Sequence, residues 1–186
     1  IVFGSALPRN EIGKLADWTI DSKAVAMTLA QALEKLKAEH RPVAQSQEFT
    51  VDLMQPDDAW GVARLFYQVY GDSFPFATYY IPERLLEENR LRLLFSTVAH
   101  TEAGDIIGVG GMFRSSAPHP GVYEIGSHVI HPAYRNSRAA LALQEHIKDV
   151  LIPQQKVEIS FSEAPCHQVV TQKIGAMSGL VETALE

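Results

Sequence analysis

A chain of 186 residues, 46% hydrophobic and 20% charged, carries enough apolar side chains for one well-filled core with a small appendage. Its formal net charge of −6 excludes a general nucleic-acid binder, which needs a basic face to neutralise phosphates. No apolar run approaches the roughly 20 residues that span a bilayer, the first residues lack a leader pattern, and a single cysteine, Cys166, makes neither an internal disulfide nor a thiolate metal cluster. The expectation is a cytoplasmic protein without a membrane segment and without a metal.

Ile1 is not a methionine and Glu186 falls inside the strand-like run Leu180 to Leu185, so both ends read as cut from a longer protein. Asp21 or Ser22 is expected to cap a helix whose apolar stripe is Val25, Leu29, Leu33 and Leu36. His40 to Gln47 is polar and broken by Pro42, which reads as a linker. The expected division is 1–47, a helical segment and linker that form the tail of a preceding unit, and 48–186, the main domain.

Phe49 to Met54 alternates as a strand, and Pro56-Asp57-Asp58 starts a helix with Trp60, Ala63, Phe66, Tyr67 and Tyr70 as its buried stripe, stopped by Gly71. An aromatic loop from Phe74 to Tyr80 leads to a second helix that opens at Pro82-Glu83 and runs to about Leu91. Leu93 to His100 and Ile106 to Phe113 form a hairpin around Glu102-Ala103-Gly104-Asp105. The run Gly121 to Ile147 is the most informative: a strand over Val122 to Ile130, a break at Pro132, a short basic loop, and a helix in which Leu143, Ile147, Val150 and Leu151 recur at helical spacing. A strand at Val157 to Phe161, a helix from His167 to Met177 stopped by Gly179, and a last strand from Leu180 complete the order β-α-α-β-β-β-α-β-α-β.

A strand that hands the chain to a helix start makes an anion site, because the first backbone N–H groups of a helix are unpaired and sit at the positive end of its dipole. Arg135-Asn136-Ser137-Arg138-Ala139-Ala140 is therefore a natural cradle for a phosphate or pyrophosphate. Ile130-x-Pro132-x-Tyr134-Arg135-x-x-x-x-Ala140 resembles the acetyl-CoA motif of the GNAT acetyltransferase superfamily, V-x-P-x-x-[RQ]-x-x-G-x-[GA], with Arg138 standing where that family has its first loop glycine. The order of elements from residue 49 onward is similar to that of the same family. Tyr70 to Phe74, Tyr79 to Arg84 and Thr171-Gln172-Lys173 resemble a bacterial subgroup fused behind other modules.

The resemblance implies a mixed α/β (α+β) fold with a mostly antiparallel sheet, helices on both faces, and two parallel strands splayed to admit pantetheine. It implies acetyl-CoA or another acyl-CoA as donor, bound by His128, Val129, Ile130, Arg135, Asn136, Ser137, Arg138, Ala139 and Ala140, with Gln168 and Thr171 reaching the pantetheine arm. The acceptor is a small-molecule or protein amine, and a homodimer is compatible.

Amine acylation needs a neutral nucleophile, so a carboxylate that removes the ammonium proton is expected. Glu124 lies on the strand before the loop, at the family's spacing from Arg135, and simple alternation places it on one face with Gly126, His128 and Ile130. The alternative is an ordinary ion pair on a half-exposed strand; His128 and His131 rank below Glu124 as bases. A backbone N–H near His128 to Ile130 is the expected donor to the thioester oxygen. The tyrosine with which the family protonates the leaving thiolate is replaced by Gly175, leaving Tyr79, Tyr80 or Cys166 as substitutes. Tyr79 and Tyr80 are the candidate acceptor contacts, whereas Phe74 and Phe76 are expected to anchor the aromatic loop. The main expectation is thus an acetyl-CoA-dependent N-acyltransferase working by direct attack on the thioester. An acyl-CoA-sensing module with little turnover, or a fold used for protein interaction, are the alternatives.

Overall fold

The computed structural model describes residues 27–39, 41–114, 121–164 and 169–183. Thr28 opens α1 (Leu29–Ala38) with a reciprocal cap: its hydroxyl accepts from the Gln31 amide at 3.3 Å while the Gln31 side chain accepts from the Thr28 amide at 2.9 Å. The described helix begins at Leu29; the expected caps Asp21 and Ser22, and Val25, lie outside the described residues. The helix buries Leu36 of the expected stripe together with Ala32, Leu33 packs partly buried against the core, and Leu29 is exposed.

Strand β1 (Phe49–Leu53) is followed by a short turn of helix at Pro56–Asp58 and by α2 (Ala59–Tyr70), which ends where Gly71 takes a positive φ of 61°. The buried face of α2 is Ala59, Val62, Ala63, Leu65 and Phe66. Trp60 and Tyr67 sit at its margin and Tyr70 is 38% exposed, because the elements packed around α2 decide which side is buried. α3 (Pro82–Arg90), the hairpin β2 (Leu94–Thr101) and β3 (Ile106–Phe113), and β4 (Val122–Ile130) follow as expected. In the hairpin turn Gly104 has φ of 80° and its amide donates to the Thr101 carbonyl at 2.9 Å.

After β4 a turn at Pro132–Tyr134 leads to α4 (Ala139–His146), a widened π turn (Ile147–Leu151) and α5 (Ile152–Gln155). The expected single helix is interrupted ahead of Pro153, which has no N–H to give to the preceding turn and whose ring needs room there. β5 (Ile159–Phe161) and α6 (Val169–Met177) close the described fold. Gly179 ends α6 in a left-handed conformation, with the Leu180 amide donating to the Gly175 carbonyl at 3.1 Å. The strand expected from Leu180 is not formed over residues 180–183, where Val181 is 81% exposed and faces no strand partner.

The sheet runs in the order β1-β2-β3-β4-β5, antiparallel from β1 to β4 and parallel between β4 and β5. One face packs Val98, Val109 and Val129 against Leu36, Val62, Phe66, Tyr79, Tyr80 and Leu85. The other face packs Phe95, Met112, Tyr123 and Ile125 against Ile147 and Leu151, and Ala99 and Ile107 against Val43, Tyr134, Ala139 and Leu143. The segment after α1 is thus part of the packing: it starts beside α2, where the Gln68 side chain donates to the Arg41 carbonyl at 2.9 Å, and ends with Val43 on the opposite face.

Close strand packing leaves no room at Gly111, where an added Cβ would stand 2.3 Å from the Phe95 carbonyl oxygen. Gly111→Ala is expected to lower the urea-unfolding stability by about 1–3 kcal/mol or more, because backbone must move to admit the methyl. Gly175→Ala, whose Cβ would meet only Leu180 Cδ1 at 3.5 Å, is expected to leave the midpoint unchanged or slightly raised. Equal midpoints for the two variants would contradict this account of the β2–β3 pair.

Candidate functional site

β4 carries the site, and its irregularity is local. It pairs with β3 from Glu124 to Gly126 and again from Val129 to Ile130, but Gly111↔Gly126 is followed by Val109↔Val129, so Ser127 and His128 stand against Gly110 alone. Ser127 takes a positive φ of 55°, the bent conformation that such an extra residue requires. The bulge exchanges the two faces. Tyr123 and Ile125 point to the α4 side before it, and Val129 points to the α2 side after it.

This corrects the single face expected from alternation. Glu124 and Gly126 lie on the α2–α3 side, with Gly126 against the Phe113 ring, whereas His128 and Ile130 lie on the α4 side. A Cβ at Gly110 would meet the His128 ring at 2.9 Å and Ile147 Cδ1 at 3.2 Å, so glycine there makes space for the imidazole. Surrounding protein atoms disfavour the charged ring and push its pKa down to about 4, while the residue keeps a solvent-exposed edge. His128 is therefore an exposed residue that is neutral at pH 7.

β5 accompanies only the start of β4. β4 and β5 pair only over Val122↔Ile159, Tyr123↔Ser160 and Glu124↔Phe161. Beyond Glu124 the strand has no parallel neighbour among the described residues, because β5 ends at Phe161. From Glu124 to Ile130 a strand rises about 20 Å at roughly 3.3 Å per residue, so the carboxylate and the basic loop stand at opposite ends of the open section. Glu124 itself is half-buried.

At the loop end, the amides of Tyr134 and Arg135 close onto the carbonyls of His131 and Pro132, and those of Ser137 and Ala139 onto the Tyr134 carbonyl and the Ser137 hydroxyl. The amides of Arg138 and Ala140, at the start of α4, are not used within the loop. Arg135, Asn136, Ser137 and Arg138 are exposed, Ala139 is buried and Ala140 half-buried. Two guanidinium groups and the first turn of a helix therefore face solvent together, as an anion site requires. His131 lies behind the loop with its Nδ1 accepting from the Ala133 amide at 3.2 Å; burial and the nearby Arg135 charge hold its pKa down, against a smaller opposite pull from Asp105.

On the α2–α3 side the aromatic loop reaches the bulge. Tyr79 is 5% exposed, stacks on Phe66 with centroids 4.2 Å apart, and donates its hydroxyl to Ser127 Oγ at 2.7 Å. Burial pushes its phenol pKa up, so it is a poor proton donor to a thiolate. Tyr80 is 1% exposed and its oxygen accepts from the Phe74 amide at 3.1 Å, which makes it an anchor of the loop and leaves it no face for an acceptor. Phe74 anchors as expected, but Phe76 is 59% exposed and only meets the edge of Phe74. Beside Tyr79, Thr78 donates to Glu88 Oε1 at 2.6 Å, and burial raises the Glu88 pKa above the usual carboxylate range.

Thr171 is on the exposed α6, away from the basic loop in sequence, and Gln168 and Cys166 lie outside the described residues. Ser127 and Glu88 were not singled out from the sequence. Gly126 in the middle of a strand pattern was a usable sign of the bulge; nothing in the sequence marked Glu88, whose surroundings are made by tertiary packing.

No family model matches the sequence, and no curated protein sequence is similar to it. Solved structures, in contrast, are similar in fold. A ribosomal-protein-S5-alanine acetyltransferase from Vibrio fischeri aligns with a TM-score of 0.59 at 16% identity, covering 76% of this chain and 84% of that one. An aminoglycoside N-acetyltransferase in complex with CoA gives 0.59 at 16%, covering 78% and 95%. A putative acetyltransferase of the GNAT family from Desulfovibrio desulfuricans gives 0.57 at 18%, covering 74% and 87%. With the interrupted β4, the parting of β4 from β5 and the basic turn into α4 all in place, the chain has the fold of the GNAT acetyltransferases.

Proposed function

We propose that this chain is an acetyl-CoA-dependent N-acyltransferase in which an amine attacks the thioester directly. The observation that carries the reading is the arrangement along β4: a carboxylate, a bulge and a basic helix start follow one another along a strand edge that β5 leaves open. In this reading the CoA pyrophosphate lies against Arg135 to Ala140, with the Arg138 and Ala140 amides as donors. The pantetheine runs along His128 to Ile130, and the acyl group sits near the bulge. CoA supplies the activated acyl group; Glu124 accepts the proton of the attacking amine. The bulge supports the oxyanion role, because a broken ladder is where a backbone donor can be spared for the thioester oxygen. Tyr79 holds Ser127 in place, and Thr171 with Gln168 belongs to the pantetheine side of the cleft.

A sensing module with little turnover is the second reading, favoured by Arg138 at a glycine position and by Gly175 where a tyrosine acid is used elsewhere. Calorimetric titration with acetyl-CoA and with CoA, followed by acetyl transfer to a panel of amines, separates the two. Binding with transfer supports the enzyme, binding without transfer the sensor, and no binding removes both.

Arg138→Glu reverses a charge at the helix start and is expected to weaken CoA by about 3- to 10-fold at low salt, the difference shrinking as salt rises. Unchanged affinity and salt dependence would show that Arg138 points away from the phosphates.

Glu124→Gln keeps shape and removes basicity, so turnover is expected to fall by about 10²–10⁴-fold with CoA affinity nearly intact. Activity of the parent falls as pH drops through the pKa of the base, since a protonated base accepts nothing. Loss of that acidic limb in the variant assigns it to Glu124; a limb that persists unchanged in the variant assigns it to another group and removes Glu124 as the base.

A further inference from the structure

We infer that Tyr134 is a positioning residue that fastens the cofactor loop to the segment ahead of β1, so that the readiness of the loop depends on residues 41–47. The inference rests on the proposed acyl-CoA site and adds a control point to it.

Tyr134 holds both partners. On the loop side its carbonyl accepts from the Ser137 amide at 3.0 Å and from Ser137 Oγ at 2.7 Å, and Ser137 Oγ accepts from the Ala139 amide at 3.1 Å. The first turn of α4 therefore hangs from Tyr134. On the other side the phenol donates to the Ala44 carbonyl at 2.7 Å and accepts from the Gln47 amide at 3.3 Å. The ring is 3% exposed, in one cluster with Val43, Ala139 and Leu143, and meets Phe49 edge-on.

The strap is fixed at its far end too. The Arg41 guanidinium pairs with Asp105 in the β2–β3 turn, and its carbonyl accepts from Gln68. Ser46, with φ of 59°, makes the bend between Ala44 and Gln47, both of which bond the same hydroxyl. A tyrosine kept only for its volume would not need that bend. Because the two hydrogen bonds end on backbone groups of the strap, displacing residues 41–47 removes both, and the support of the Ser137 turn weakens with them.

Tyr134→Phe keeps the ring and removes only the hydroxyl. In the unliganded protein, amide hydrogen exchange over residues 135–141 is expected to speed up by about 3- to 10-fold while β2 and β3 are unchanged. Acetyl-CoA is expected to bind more weakly by a similar factor, since a smaller fraction of molecules holds the loop ready. Val43→Ala, which loosens the strap where it packs on Tyr134, is expected to speed up the same amides. Loop exchange unchanged in both variants overturns the coupling whatever acetyl-CoA does, and a uniform rise over β2, β3 and the loop overturns it as plain destabilisation. Faster loop exchange with unchanged acetyl-CoA affinity upholds the coupling and removes the cofactor from this loop, so the two readings fail separately.

Discussion

The two-against-one step in β4 governs the rest of the molecule. A strand cannot face the α2 side at Glu124 and the α4 side at Ile130 unless one residue is inserted without a partner, and Ser127 with its positive φ is that residue. The step lets Tyr123 and Ile125 fill the space over Ile147 and Leu151, and lets Val129 close the opposite core. It also sends the chain into Pro132 at the angle that delivers Tyr134 onto Val43. Straightening β4 would turn one half of its apolar side chains outward.

The ring of Tyr79 supports the same point from the other layer. Its stacking on Phe66 fixes the phenol beneath Ser127, so the aromatic loop braces the bulge rather than hanging free over it. The small residues opposite complete the arrangement: Gly108, Gly110 and Gly111 in β3 allow close approach of Leu143, the His128 ring and the β2 backbone. Shape at this strand is set by what is missing from β3 as much as by what β4 carries.

Most elements were legible because their punctuation is chemical. Pro56, Gly71, Pro82, Gly104, Pro132 and Gly179 each mark a start, a turn or a stop that the structure keeps. The misses share a cause in tertiary packing. Which face of α2 is buried depends on the elements packed around it rather than on its own aromatic count, and Tyr80 is enclosed by its own loop. Alternation carried Glu124 and His128 onto one face because counting by twos cannot register an inserted residue. Residues 41–47 read as a polar linker, yet their value lies in backbone groups aimed at one phenol, which no side-chain pattern reveals.

α6 buries none of its side chains, and Val169, Val170 and Met177 stand more than half exposed. β5 is held to β4 by three residue pairs, with Ile159 also exposed. Opening this part of the chain uncovers little apolar surface that water does not already touch, so its local free energy lies well below that of the β1–β4 core. The β4–β5 pair thus joins a strand of global stability to one of local stability. A melting curve, dominated by the two cores, reports the first and is nearly blind to the second; a molecule that is fully folded by that measure can still have β5 and α6 detached.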